Sequence, residues 1–113
     1  MTIGVILRCE MPDLPTEADW QPSALGERPF VIDVVRRATS ETGSCETTSY
    51  GEVVRFVVES EDSHLEVDIP ASGEIATLGI AGILGARACG AIRDICQNLN
   101  ARYYDSESGF IPL

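Results

Sequence analysis

Two adjoining stretches constrain the fold of this chain more than any others. From His64 to Ile69 the residues alternate, with Leu65, Val67 and Ile69 set against His64, Glu66 and Asp68. A period of two marks a half-buried strand, because successive side chains point to opposite faces of a sheet. The stretch before it, Glu52–Glu59, is rich in side chains that suit a pleated surface: Val53, Val54, Phe56, Val57 and Val58. The polar turn Ser60-Glu61-Asp62-Ser63 joins the two. The pattern predicts an antiparallel hairpin, ended by Pro70, which cannot donate to a ladder.

The rest of the chain supplies elements around that hairpin. Ile3, Val5, Leu7 and Cys9 alternate with other residues, which predicts a first strand over 2–9 buried on that face. The same opening lacks the basic region and Ala-x-Ala site of a secretory leader. Met11–Pro29 holds Pro12, Pro15, Pro22 and Pro29, a density that forbids a long helix; Trp20 lies within it. Phe30, Val31, Val34, Val35 and Ala38 fall at helical spacing, with Asp33, Arg36 and Arg37 opposite, and predict a short amphipathic helix. A strand over Phe30–Val35 is the competing reading, because β-branched residues are many there. Thr39–Tyr50 reads as a surface loop, rich in Ser, Thr and Gly.

A long helix is expected from between Ser72 and Thr77 to about Asn98, its stripe being Leu84, Ala88, Ala91, Ile92, Ile95 and Leu99, with Asn100 as C-terminal cap. Ala101–Tyr104 reads as a last strand, and Phe110-Ile111 pairs back after the turn Asp105–Gly109. The order is β-α-β-β-α-β with a tail. It predicts one α+β domain over 1–113, ferredoxin-like, with an antiparallel sheet and both helices on one face.

The longest apolar run, Ile75–Ala86, covers 12 residues; a membrane span needs about 20, so the run belongs to the core. Cys9, Cys45, Cys89 and Cys96 form no C-x-x-C pair, and His64 is the only histidine. Free thiols, no structural zinc and a cytoplasmic setting are expected.

The parts of a catalytic site are missing. There is no G-x-S-x-G elbow, and only His64 is available as a base for a nucleophile. His64 sits among carboxylates, which favour a protonated, structural imidazole. Gly79, Gly82, Gly85 and Gly90 match no phosphate-binding spacing, and the chain has no lysine to reach a phosphate. They read as close-approach positions between helix and sheet. Along His64-x-Glu66-x-Asp68 the candidate metal ligands sit ~6.6 Å apart, too divergent for one ion; cross-strand pairing with Arg55 is the expected outcome. The chain is therefore expected not to be an enzyme and to need neither cofactor nor metal.

Charge points to a partner instead. Residues 41–74 carry nine carboxylates against Arg55, a net −8 of the whole chain's −10. Such a field repels nucleic acid and anionic lipid and attracts a basic protein. Like charges ~7 Å apart repel by about 0.6 kcal/mol even in water. Solubility, the competing explanation, is served as well by even spacing. The clustering therefore favours a docking surface of Glu59, Glu61, Asp62, Glu66 and Asp68, with Glu41 and Glu46 nearby. Trp20 and Tyr50 are candidate aromatic anchors. An exposed strand edge leaves a homodimer open as well.

In type (small, acidic, without a leader or catalytic motif) the chain resembles the immunity proteins of bacterial polymorphic toxins, including the contact-dependent growth inhibition and type VI classes. Its ending, Leu99-Asn100-Ala101-Arg102-Tyr103-Tyr104-Asp105-Ser106-Glu107-Ser108-Gly109-Phe110-Ile111, is similar to the helix-strand-turn endings of such proteins. The resemblance implies a cytoplasmic inhibitor that binds a toxin domain of its own cell line and blocks its active site or substrate entry. A nuclease is the kind of toxin the charge favours, because nucleic-acid sites are basic. Two alternatives are a phage or plasmid anti-defence protein using the same decoy principle, and a small ferredoxin-like enzyme or ligand-binding domain.

Overall fold

The computed structural model describes residues 1–113. In chain order the elements are β1 (Thr2–Leu7), α1 (Arg28–Thr39), β2 (Ser44–Thr48), β3 (Gly51–Glu59), β4 (His64–Pro70), β5 (Thr77–Ile83), α2 (Ala86–Leu99), β6 (Arg102–Asp105) and β7 (Gly109–Ile111). The strands form one seven-stranded sheet in the order β2-β3-β4-β5-β1-β6-β7, and every pairing is antiparallel.

Both helices lie on one face of this sheet. Val31, Val34 and Val35 of α1 and Ala88, Ala91, Ile92, Ile95, Cys96 and Leu99 of α2 share one core with one set of strand residues. That set is Ile6, Phe56, Val58, Leu65, Val67, Ile69, Leu78, Ile80 and Tyr103. Register places these on one side: Val67 lies opposite both Phe56 and Ile80, and Ile6 opposite both Leu78 and Tyr103. The β3–β4 hairpin and the inward face of β4 follow the sequence pattern, as do α1 and the closing β6–β7 pair. No helix is long and apolar enough to cross a membrane.

The sheet corrects the ferredoxin-like order. That order needs four strands, and here there are seven. Of the three extra strands, β7 is the expected pairing tail, and β5 and β2 fall where helix and loop are expected. Ile75–Ala86, which falls within the helix expected from between Ser72 and Thr77, holds β5, and α2 begins only at Ala86. Leu78 and Ile80 enter the core while Thr77, Gly79, Ala81 and Ile83 face away. A short run apolar on both faces does not distinguish buried strand from buried helix by period alone. Gly79 and Gly82 are strand residues, and a Cβ at either would meet β4, the Asp68 side chain or the His64 carbonyl, rather than a helix. Ser44–Thr48, inside the stretch Thr39–Tyr50 that reads as loop, is the edge strand β2; exposed along most of its length, it has no buried face to write a pattern into its sequence.

β1 is also turned relative to its expected register. Ile6 enters the core, whereas Ile3 is 59% exposed. Gly4 stands on the core side, where a Cβ would lie 2.6 Å from the Tyr103 ring and 2.4 Å from the Tyr104 carbonyl. The slot this glycine leaves receives the Tyr103 ring. Leu7 and Cys9 are buried, but outside the main core. The proline-rich segment is tied down by backbone contacts: Leu25 N–H donates to the Ile75 carbonyl, and Arg8 donates to the carbonyls of Ala24, Leu25 and Leu99.

Candidate functional site

The face of the sheet away from the helices carries four of the nine clustered carboxylates, Glu46, Glu59, Glu66 and Asp68, together with Arg55 and His64. Across it, Glu59 lies opposite His64 and His64 opposite Ile83; Val57, Glu66, Ala81 and Ile3 form the next row. A third row runs Ser44, Arg55, Asp68, Gly79, Val5, Tyr104 and Phe110. The face thus divides lengthwise. Its β3–β4 half is charged, and its β1–β5 half is Ile3, Val5, Leu7, Gly79, Ala81 and Ile83 with Thr77.

The charged half is a connected network. Arg55 grips Asp68 with both arms, Nε to Oδ1 at 2.8 Å and Nη2 to Oδ2 at 3.0 Å. Its Nε also lies 3.3 Å from Glu66 Oε1. The His64 ring spans two carboxylates, Nδ1 to Glu59 at 2.7 Å and Nε2 to Glu66 at 3.1 Å. Only an imidazolium donates from both nitrogens, and the bonds to Glu66 and then Glu59 raise the His64 pKa above its usual value. The hydrogen bond to Asp68 likewise raises that of Arg55. Glu66 joins the two cations, so three carboxylates are held in fixed directions by two positive groups.

Asp62 has a different task. Its Oδ1 accepts from Ser60 Oγ and Ser63 Oγ, both at 2.8 Å, and its Oδ2 accepts from the Ala86 amide at 2.7 Å. Ser63 Oγ accepts from the Ala88 amide at 3.1 Å. The hairpin turn therefore caps α2, whose own N-cap is Gly85 and whose first turn has no acidic residue. The hydroxyls of Ser60 and Ser63, then the Ala86 amide, hold the Asp62 carboxyl below its usual pKa. A Cβ at Gly85 would stand 2.3 Å from the Asp62 carbonyl, so this junction needs glycine.

The remaining site candidates are dispersed. Glu61 is exposed at the turn, and Glu41 and Glu46 are exposed beside and on β2. Glu46 lies opposite Val53, on the open face. Trp20 is not brought to the acids: it lines a groove with Arg8, Met11, Pro22, Asn100 and Arg102, at the end of β1 opposite the hairpin turn. Tyr50 is 97% exposed in the β2–β3 turn. No three His, Cys, Asp or Glu side chains converge in a way that holds a metal ion.

No family model, curated protein or solved structure matches this chain. The functional reading rests on the geometry. Sequence reasoning missed two parts of it. The apolar half of the open face was hidden because Ala81 and Ile83 were read into a helix. The capping role of Asp62 did carry a signal, Ser60-x-Asp62-Ser63 being cap-forming residues, but the helix they cap begins 24 residues away.

Proposed function

We propose that this protein is an inhibitor of the immunity type, which binds a basic toxin domain, of nuclease kind, through its acidic surface and neutralises it. The observation that carries this reading is the row Glu59, Glu66 and Asp68, three carboxylates against the two cations Arg55 and His64, with the exposed Glu46 on the same face and the exposed Glu41 and Glu61 outside the network. Carboxylates in fixed directions occupy the places that phosphates take in a nucleic-acid site, and their field speeds capture of a basic partner. Asp62 serves the same surface indirectly, by fixing the turn that presents Glu61.

The test is co-expression with a basic nuclease domain encoded immediately beside this gene. Growth rescue is expected, with a stable complex on size exclusion whose association slows as salt rises. Replacing Glu46 and Glu61 together by Lys should weaken capture and flatten that salt dependence. An absence of rescue and of complex would overturn the proposal.

A further inference from the structure

The open face holds more than charge. Ile3 and Ile83 are 59% and 63% exposed, and Met1, beside Ile3, is 85% exposed. Ile3 lies opposite Ala81, so Ile3 and Ile83 are diagonal neighbours on one face. Of the outward residues of β1 and β5, only Thr77 is polar, and since Leu7 is already buried the exposed apolar part is the end that carries Ile3, Ala81 and Ile83. An antiparallel sheet with one wet face ordinarily sets polar side chains there, so large exposed aliphatics in its middle strands indicate an occupant. Immediately alongside run His64, Glu66 and Asp68 of β4.

We infer that this face seats an amphipathic basic segment of the partner, with its apolar side chains over Ile3 and Ile83 and its Lys or Arg side chains toward Glu59, 72% exposed, at the head of a row in which three carboxylates face only the two cations Arg55 and His64. The inference rests on the reading that the chain binds a basic protein, and it names the surface used. Charge decides among the occupants. A second copy brings another net −10 against the first, and an anionic bilayer is repelled in the same way. A segment that alternates apolar and cationic residues satisfies both halves at once. The turn and loop acids Glu41, Glu61 and Glu74 then act at the rim, where charge alters approach more than residence.

Two probes test this: capped peptides of about eight residues and equal charge, one alternating Lys and Leu, the other Lys and Ser, at about 0.05 M salt to limit screening. Binding to the full chain is followed by fluorescence anisotropy and by isoleucine methyl shifts. The Lys-Leu peptide is expected to bind at least about tenfold more tightly, moving the Ile3 and Ile83 methyls. Ile83→Asn combined with Ile3→Asn should reduce it to the Lys-Ser level; Ile83→Thr, which keeps the β-branch, should fall between and guards against a folding defect. Equal binding of the two peptides, or shifts confined to residues around Glu41, Glu61 and Glu74, would overturn this inference while leaving a basic partner in place. Binding of neither peptide would overturn both readings. A dimer seen by sedimentation and dispersed by Ile83→Asn would assign the face to a second copy and overturn the occupant named here.

Discussion

Gly82 shows how narrowly single residues are fixed. Its φ is +141°, and a Cβ there would lie 1.7 Å from the His64 carbonyl oxygen. Gly82→Ala should cost about 2–4 kcal/mol, because it combines a forbidden backbone with a backbone clash. Gly51 has φ +121° but open space around it, so Gly51→Ala should cost only about 1 kcal/mol. Urea midpoints of the two variants check the contrast. Two titrating residues set opposite pH limits. The His64 pKa is raised above 6.5, so its contribution is complete below the unfolded value and is lost as pH rises through the folded one. The Asp62 pKa is lowered from 3.8, so its contribution holds above that value and is lost as pH falls through the folded one. The two groups therefore contribute fully together between about pH 4 and 6.5. NMR titration of the His64 ring should give a midpoint above 6.5 that drops in Glu66→Gln; an unchanged midpoint would refute the double clamp.

At the scale of elements, the helices depend on residues outside themselves. α2 has neither an acidic first turn nor a basic last turn. Its N-terminus is capped by Asp62 and Ser63, and its Leu99 carbonyl accepts from Arg8 Nε at 3.0 Å and Nη2 at 2.8 Å. Arg87, in the first turn of α2, in turn donates to the Thr39 carbonyl at the end of α1. Arg8→Met leaves the Leu99, Ala24 and Leu25 carbonyls without this donor and should cost about 2–3 kcal/mol, with faster hydrogen exchange at the end of α2. Normal exchange there would show that the proline-rich segment holds without Arg8. The elements also differ in how visible they were. The β3–β4 hairpin combines a strict alternation with a polar turn and reads directly. β2 reads poorly because it is a strand by virtue of pairing with β3, not of any buried face of its own.

For the whole molecule, a net charge of −10 opposes compaction. The apparent Tm should rise between low salt and about 0.3 M sodium chloride, as screening relieves the repulsion; a fall would mean that the Arg55–His64 network outweighs it. The thiols report the packing. All four cysteines are free; Cys45 is exposed, while Cys9 and Cys96 are buried, and burial pushes the Cys96 thiol up to about 12. A thiol reagent should modify Cys45 rapidly and leave Cys9 and Cys96 until the chain unfolds. Rapid reaction of more than two thiols in native protein would contradict this core.

By itself the sequence determined the β3–β4 hairpin, the presence of a second helix and where it ends, the closing strand pair and the concentration of charge, and it favoured helix over strand at α1. Each depends on neighbours a few positions apart: a period, a turn, a count. Only the tertiary structure decided that Thr77–Ile83 is a strand, that Ser44–Thr48 joins the sheet edge, and that Ile6 rather than Ile3 turns inward. The expected pairing of Arg55 with the β4 carboxylates is present, but only the assembled sheet decided that His64 bridges Glu59 and Glu66 and that Asp62 caps α2. Those outcomes depend on partners distant along the chain, brought close only when the sheet assembles; local pattern can offer a cap-forming residue such as Asp62 but cannot name the helix it caps.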